Sequence, residues 1–303
     1  MKGSLEKYLA GNSSRVDRLL ELLMRRRPEQ PETIRKAMSY SLFAGGKRLR
    51  PTLVIAAAQC CGGRADQVLK TAAALEMIHT YSLIHDDLPA MDDDDLRRGK
   101  PTNHKVFGEA VAILAGDGLL TYAFELVAEN ALERRLSARN TAELIRVVAR
   151  GAGTQGMVGG QVADLEAEAW RDKNHGFDPA RALEYIHLHK TAALIAASLE
   201  AGAILAGGSA AERRALRDYG DNIGLAFQIA DDVLDVVGDK KKLGKRGSDS
   251  ANDKLTYVSL YGVDKARAKA RELVTLAKKS LRRLDRFHAP LLALADFIVN
   301  REK

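Results

Sequence analysis

The residues best suited to chemistry in this 303-residue chain lie between Leu83 and Pro101, where carboxylates crowd beside arginines. This first acidic cluster consists of Asp86, Asp87 and Asp92 to Asp95, and the arginines Arg97 and Arg98 follow it. Crowded carboxylates repel one another, so such a cluster requires bound cations or full solvation. An apolar run leads into the cluster, so we expect its first acids at the edge of the core. Carboxylates for a hard cation beside arginines for phosphate indicate a metal–phosphate site.

A second acidic cluster lies in the sequence FQIADDVLD, from Phe227 to Asp235. Asp231 and Asp235 are four residues apart, so on a helix they lie about 40° apart on one face, which Gln228 joins. Acids at this spacing repel by roughly a few tenths of a kcal/mol unless a cation joins them. A solvated charged face is the simpler interpretation of this motif alone. Two such clusters in one chain favour a metal site.

The spacing inside the first acidic cluster leaves the partner of Asp86 open. On a straight helix Asp92 lies about 120° from Asp86, whereas Asp93 lies within about 20°. Pro89 interrupts a regular helix at this point, so the helical wheel does not apply. Periodicity alone therefore does not choose between Asp92 and Asp93.

Helical periodicity dominates the segments that must position these acids. The segments expected to be helical are 5–27, 31–41, 52–61, 68–85, 103–132, 141–167, 179–206, 210–237, 263–284 and 291–299. No run alternates β-branched residues as a strand would. No linker or shift in composition marks a domain boundary. The sequence predicts an all-α fold of about ten helices, arranged as a single domain over residues 1–303.

Two glycine-containing motifs could bind phosphate. GGKRLRP, from Gly45 to Pro51, fits a turn that holds basic side chains near a phosphate, but it lacks the spacing of a Walker A loop. GAGTQG, at 151–156, matches the dinucleotide-binding pattern, which requires a preceding strand and alternating β and α units. Its flanks are rich in helix formers. Glycines that allow helices to pack closely are therefore the favoured interpretation.

Composition narrows the class of ligand. The chain has 47 Lys and Arg against 40 Asp and Glu, a net charge of +7, but only 5% aromatic residues. The basic residues are scattered, so no stacking platform for nucleic acid is expected. An anionic small molecule is the favoured ligand, and we expect no nucleic-acid partner.

The cysteines, the N-terminal residues and one apolar stretch indicate the cellular compartment of the protein. Cys60 and Cys61 are adjacent and cannot form a disulfide framework, which indicates a reducing compartment. The N-terminal residues lack the apolar core of a signal peptide, so we expect a cytoplasmic protein. The apolar stretch from Ala192 to Gly207 is short and interrupted by Glu200, so we expect a buried core helix and no transmembrane segment.

The motifs together resemble a known enzyme family. GGKRLRP, DDLPAMDDDDLRRGKPTNH, FQIADDVLD and KLTY at Lys254 occur in the order found in the trans-isoprenyl diphosphate synthases, and are most similar to the bacterial farnesyl diphosphate synthases. The resemblance covers most of the chain. It implies an isoprenoid synthase bundle, with a central cavity and two facing Asp-rich motifs, that forms a homodimer. It also implies head-to-tail condensation of an allylic diphosphate with isopentenyl diphosphate.

The same resemblance implies roles for individual residues. The implied ligands of three Mg²⁺ ions are Asp86, Asp87, Asp92, Asp231, Asp232 and Asp235, which selects Asp92 over Asp93. The implied contacts of isopentenyl diphosphate are Lys47, Arg50, His79 and Arg98. The implied contacts of the allylic substrate are Arg97, Lys190, Thr191, Gln228, Lys245 and Lys254, of which Lys190, Thr191 and Gln228 form the implied catalytic set. The sequence departs from the family pattern at Val258, where the family commonly has proline. This departure bears on the conformation of the loop that contains KLTY and not on the chemistry.

Product length should depend on what lies beneath Asp86. On a helix, Ser82 lies one turn before Asp86 and Tyr81 one residue further back, so both lie under the metal site. Tyr81 is bulky enough to close the pocket after two condensations, which predicts farnesyl diphosphate as the main product. An ordinary core aromatic is the alternative interpretation of Tyr81. The alternative functions are geranyl or geranylgeranyl diphosphate synthase, and a non-catalytic partner subunit, although such subunits tend to lose aspartates that this chain keeps.

Overall fold

The chain folds almost entirely into helices in a computed structural model, which confirms the predicted all-α class. The structure describes residues 2–25, 29–170, 178–237, 255–282, 284 and 288–300. The helices are α1 (Lys2–Arg25), α2 (Glu32–Leu42), α3 (Leu49–Cys60), α4 (Leu69–Asp86), α5 (Asn103–Phe107), α6 (Glu109–Glu133), α7 (Ala138–Ala152), α8 (Met157–Trp170), α9 (Pro179–Ile186), α10 (Ala193–Leu205), α11 (Ala210–Val237), α12 (Tyr257–Tyr261), α13 (Val263–Leu281) and α14 (Ala289–Asn300). A 3-10 turn (Ala65–Val68) precedes α4, and a π-helical segment (His187–Ala192) joins α9 to α10.

Two segments that were expected to be single helices are each divided. The segment 103–132 forms α5 and α6, because Gly108 between them adopts a φ of 83°, which glycine tolerates best. The segment 141–167 forms α7 and α8, with a break that begins at Gly153, where the backbone is extended. Apolar residues lie on both sides of each break, so periodicity did not reveal the breaks.

A short β-hairpin follows the first acidic cluster, although no strand was expected. Leu96–Arg97 (β1) pairs antiparallel with Lys100–Pro101 (β2). Arg98 and Gly99 form the turn, with φ values of 54° and 77°, the left-handed pair that matches the twist of a tight hairpin. Strands of two residues carry no alternating pattern, which explains why the prediction missed them.

The core consists of two hydrophobic clusters, and helices α3 and α10 contribute to both. The first cluster joins them to α4 and α6, and the second joins them to α11, α13 and α14. Because α10 has buried residues all round, it is the central helix of the fold. The π-helical segment enters α10 directly, so its side chains are held by the most buried part of the molecule.

Glycines on the surrounding helices allow close approach to this central segment. A methyl group on Gly151 would lie 2.5 Å from the Cβ atom of Ala197. Methyl groups on Gly220 and Gly224 would lie 2.6 Å and 2.5 Å from the Cα atoms of Ala196 and Ala192. GAGTQG begins in the last turn of α7, and no strand precedes it in the described part of the chain, so the dinucleotide interpretation is wrong. The close-packing interpretation holds for Gly151.

Two helical stretches in the described chain are long and apolar enough to cross a membrane, Glu109–Glu133 and Pro179–Leu205. The protein buries 44% of the apolar window of the first and 67% of that of the second. A buried helix of a water-soluble core meets the same criteria of length and composition. The sequence prediction had considered only the second stretch, which contains the central helix α10.

Candidate active site

The backbone after α4 turns back on itself, so that Asp86 and Asp92 become neighbours. Asp86 is the last residue of α4, and Pro89 lies in the turns that follow. The N–H of Asp92 donates to the carbonyl oxygen of Asp86 at 2.9 Å, whereas the N–H of Asp93 donates to that of Leu88 at 3.1 Å. Asp92 therefore returns to the end of the helix, beside Asp86, which the helical wheel could not decide.

The carboxyl group of Asp86 lies in a crowded electrostatic environment. Burial raises its pKa to about 6, the positive charge of Lys190 acts in the opposite direction, and Asp92 and Asp87 add to the rise. A carboxyl with such a pKa lacks enough nearby positive charge to balance its ionised form. Full ionisation at neutral pH is favoured once a cation joins the cluster. Carboxylate oxygens are the ligands that Mg²⁺ prefers.

Asp87 is buried and already has a partner in the hairpin. The Nε atom of Arg97 donates to Oδ1 of Asp87 at 2.7 Å, and Nη2 lies 2.5 Å from the same oxygen. Nη2 also lies 3.6 Å from Oδ2 of Asp94. Burial raises the pKa of Asp87, and Arg97 opposes that rise. Asp87 therefore anchors Arg97 at the edge of the first acidic cluster.

The basic turn that begins at Gly45 is held in place by Arg48. Arg48 is buried and adopts a left-handed φ of 46°. Its guanidinium group forms ion pairs at 2.8 Å with both Glu76 and Asp17, and donates to the carbonyl oxygen of Leu42 at 2.8 Å. This side chain is committed to the fold. Lys47, on the same turn, is exposed.

Arg50, His79 and Arg98 converge beside this turn. Burial holds the pKa of His79 well below its usual 6.5, and the charges of Arg50 and Arg98 lower it further, so the imidazole is neutral. Burial also lowers the pKa of Arg50 to about 10, and its buried Nε atom has no hydrogen-bond partner. The Nη1 atom of Arg98 lies 2.8 Å from where a Cβ atom on Gly46 would stand. A buried basic donor without a protein acceptor, such as the Nε atom of Arg50, suits an anionic group.

The π-helical segment presents Lys190 and Thr191. The Nζ atom of Lys190 lies 2.5 Å from Oδ2 of Asp164 on α8, and Lys190 is also close enough to Asp86 to lower the pKa of that carboxyl. The hydroxyl of Thr191 donates to Oε1 of Gln228 on α11 at 2.9 Å. These contacts connect the two acidic clusters through one short helical segment. Segments of π-helix inside α-helices occur frequently at functional sites.

Asp232 is the buried member of the second acidic cluster. Its Oδ1 accepts a hydrogen bond from the Gln228 side chain at 3.3 Å, and its Oδ2 accepts one from the backbone N–H of Tyr257 at 2.7 Å. Asp231 and Asp235 are only partly buried. Asp232 therefore orients Gln228 and holds the start of α12, while its two neighbours remain accessible from the surface.

The family model described as polyprenyl synthetase matches residues 31–288 of the chain. The chain belongs to this family. The match spans both acidic clusters, the basic turn and the π-helical segment, and confirms the family that the sequence motifs predicted. Members of the family are generally Mg²⁺-dependent and use isoprenoid diphosphates as substrates.

Individual relatives agree with this assignment. The chain is 46% identical over 300 residues to the farnesyl diphosphate synthase of Geobacillus stearothermophilus, covering 99% of this chain and 98% of that one. It is 50% identical over 275 residues to the heterodimeric geranylgeranyl pyrophosphate synthase large subunit 1, chloroplastic, of Arabidopsis thaliana, covering 90% and 73%. The crystal structure of an FPP/GFPP synthase from Zymomonas mobilis in its apo form superposes with a TM-score of 0.85, at 38% identity, covering 99% of this chain and 100% of that one. The isoprenoid synthase fold is thereby confirmed.

The donor set fits the Mg²⁺ that the family requires. Within the described ranges, no three His, Cys, Asp or Glu side chains form a ready-made metal cage. Mg²⁺ commonly binds one or two carboxylates and completes its octahedron with water and substrate phosphates. The neighbouring pair Asp86 and Asp92, with its raised Asp86 pKa, has that composition.

Sequence reasoning missed two acids that organise this site. Asp164 pairs with Lys190, and Glu76 pairs with Arg48. Glu76 left a signal in the sequence, since it is the one acid in the otherwise uncharged run from 71 to 78 of α4. Asp164 left no such signal, because its neighbours Glu166 and Glu168 are also acidic. The sequence there is equally consistent with an acidic helix face exposed to solvent.

Of the remaining predicted site residues, two lie in the described part of the chain and two lie outside it. Tyr81 is buried on α4, and the hydroxyl of Ser82 donates to the carbonyl oxygen of His79 at 2.9 Å. Lys245 and Lys254 lie outside the described residues. Their expected contacts with the allylic diphosphate therefore stay predictions.

Proposed function

We propose that this prenyltransferase of the polyprenyl synthetase family is a farnesyl diphosphate synthase, which condenses isopentenyl diphosphate with dimethylallyl or geranyl diphosphate. One observation carries the proposal: the basic side chains form two groups, and Arg97 lies close to both. Arg50, His79 and Arg98 converge beside the basic turn, while Lys190 approaches Asp86 from the π-helical segment. A condensation between two diphosphates requires two such anion sites.

The first group binds isopentenyl diphosphate. Arg50 has a buried Nε donor without an acceptor, and Lys47 is exposed on the same turn. Neutral His79 can donate a hydrogen bond without bringing a further charge close to the arginines. A fixed position for this substrate places its double bond beside the reacting carbon, which supplies much of the catalytic advantage.

The second group binds the allylic diphosphate at the first acidic cluster. Asp86 and Asp92 would hold two Mg²⁺ ions with Asp87 close by, and Asp231 would hold a third with Asp232 and Asp235 assisting. When bound, the ions stabilise the charge that develops on the leaving diphosphate. Lys190, Arg97, Lys245 and Lys254 are the proposed protein contacts of that same diphosphate.

The reaction begins when the allylic C–O bond breaks and its electron pair leaves with the diphosphate. The oxygens of Thr191 and Gln228 stabilise the allylic cation without providing a nucleophile strong enough to trap it. The double bond of isopentenyl diphosphate then forms the new C–C bond. A proton leaves the adjacent carbon for the released diphosphate, which restores a double bond and completes the product.

The proposed main product is farnesyl diphosphate, because Tyr81, which is buried on α4 five residues before Asp86, would close the product pocket. Geranylgeranyl diphosphate is the second candidate, because the relatives in Arabidopsis thaliana and Cyanophora paradoxa carry that name. We further propose a single domain over 1–303, a homodimer, a cytoplasmic location, and no nucleic-acid partner or transmembrane segment.

The proposal is tested with purified protein, Mg²⁺, isopentenyl diphosphate and either dimethylallyl, geranyl or farnesyl diphosphate, followed by chromatography of the dephosphorylated products. Chain growth that stops at fifteen carbons and disappears with a chelator is expected. Asp86→Asn should abolish it, whereas Asp66→Asn, at an exposed ion pair with Arg64, should not. A wild-type protein without chain growth from any starter would refute the proposal.

A non-catalytic partner subunit is the main rival from another class. Such a subunit would show no chain growth alone and would restore it to a second protein. Light scattering on the same preparation tests the homodimer, since a monomer mass would contradict it.

A further inference from the structure

His85 occupies a slot between α4 and α6. Its Nε2 atom lies 3.0 Å from the carbonyl oxygen of Ile113 on α6. Its ring meets the ring of Tyr81 edge to face, with centroids 5.7 Å apart and planes at 78°. Tyr81 and His85 are four residues apart, so they share one face of α4. His85 thus joins the proposed floor of the product pocket to the neighbouring helix.

Gly116 creates this slot. A Cβ atom at position 116 would stand 2.1 Å from Nε2 and 2.5 Å from Cδ2 of His85. Two residues further along the same helix, a Cβ atom on Gly118 would approach only the flexible end of Met38, at 3.3 Å from its sulfur. The requirement for glycine is therefore specific to the position that faces the imidazole.

The adjacent residues show why lateral support matters at Tyr81. Tyr81 is 6% exposed and belongs to the core cluster that α4 and α6 share. A tyrosine ring turns about two side-chain bonds, so its position depends on what packs against its edge. The imidazole, fixed by the Ile113 carbonyl, closes that edge.

We propose that His85, seated against Gly116, is a positioning residue that holds Tyr81 in place and thereby limits product length. This inference rests on the proposed function. Without the imidazole, the tyrosine ring can move into the vacated slot and the pocket deepens. A methyl group at position 116 produces the same result, because it leaves no room for the imidazole and displaces it from the edge of Tyr81.

The test measures the ratio of twenty-carbon to fifteen-carbon product, together with total isopentenyl incorporation. His85→Ala and Gly116→Ala should each raise that ratio at least roughly fivefold. Gly118→Ala, the matched control on the same helix, should leave it at the wild-type value. His85→Gln places its Nε2 amide near the position of the imidazole Nε2, so it keeps an N–H donor for the Ile113 carbonyl. It lacks the ring, so it should fold and still lengthen the product.

A double substitution separates positioning from general loosening of the core. His85→Ala combined with Gly116→Ala should give the ratio of His85→Ala alone, because Gly116 acts only through the imidazole. Independent, additive effects would overturn the proposal, as would an unchanged ratio in both His85 variants with incorporation preserved. A wild type without any chain growth would instead refute the proposed function, so the two failures are distinguishable.

Discussion

The buried ion pair between Arg48 and Glu76 offers the sharpest test of how the basic turn is held. Both side chains are 4% exposed, and their Nη1 and Oε1 atoms are 2.8 Å apart. Glu76→Gln keeps the size of the side chain but removes its charge. The guanidinium then loses its only buried carboxylate among the contacts described here and keeps the partly exposed Asp17.

The expected cost follows from that burial. Removing one partner of a buried ion pair destabilises a protein by roughly 3–5 kcal/mol. Because Asp17 still compensates part of the charge, we expect the lower end, about 3 kcal/mol. For a chain of this length each kcal/mol lowers the melting temperature by about 2 °C, so the decrease should be about 6 °C.

Thermal unfolding followed by circular dichroism measures this effect. Glu32→Gln is the matched control, since its pair with Lys36 is exposed on both sides and its loss should change the melting temperature by less than about 1 °C. The KM for isopentenyl diphosphate should also rise in Glu76→Gln, because Arg48 holds the turn that carries Lys47. A Glu76→Gln variant that melts with the wild type would refute the reasoning.

Three further tests concern the acidic and π-helical parts of the site. Gly160→Ala should lower kcat about a hundredfold in steady-state assays, because its methyl group would lie 2.1 Å from the backbone N of Lys190 and would displace that residue. A displacement of about 1 Å at a catalytic group costs about that factor in rate. Gly11→Ala is the control and should leave kcat unchanged, because its methyl group would point into open space. Protons should compete with Mg²⁺ at Asp86, because this carboxyl becomes protonated below about pH 6. The Mg²⁺ affinity measured by calorimetry should therefore decrease about tenfold for each pH unit below 6. An affinity that does not change with pH would contradict the assignment of Asp86 as a metal ligand. Asp164→Asn should raise the KM for the allylic substrate about tenfold, because Lys190 loses its charged partner; unchanged kinetics would show that the pair does not orient the lysine.

The sequence predicted the helices and the family better than it predicted the connections between the helices. Helical periodicity is a local signal, so it located α4, α10 and α11. The backbone around Pro89 and the hairpin turn at Arg98 depend on contacts between distant segments and left no such signal. The choice between Asp92 and Asp93 needed the turn that returns Asp92 to Asp86, which no wheel represents.

Charged residues that serve the fold were the hardest to predict. Arg48, Arg50 and Lys47 occupy one short turn, and composition does not distinguish them. Only the structure separates Arg48, which is paired with Glu76 and Asp17, from Arg50, whose buried donor lacks an acceptor. The family resemblance implied a substrate contact for Arg50 and none for Arg48, and that role of Arg50 stays a prediction.

The glycines that surround the central helix have a consequence for evolution. Each contact of Gly151, Gly220 or Gly224 with an alanine of the central segment leaves no space for even one methyl group. A larger residue on either side therefore needs a compensating change on the other, and single substitutions there are selected against. The residues proposed to limit product length lie instead at the interface of α4 with α6, where one ring can be exchanged while the central segment stays unaltered.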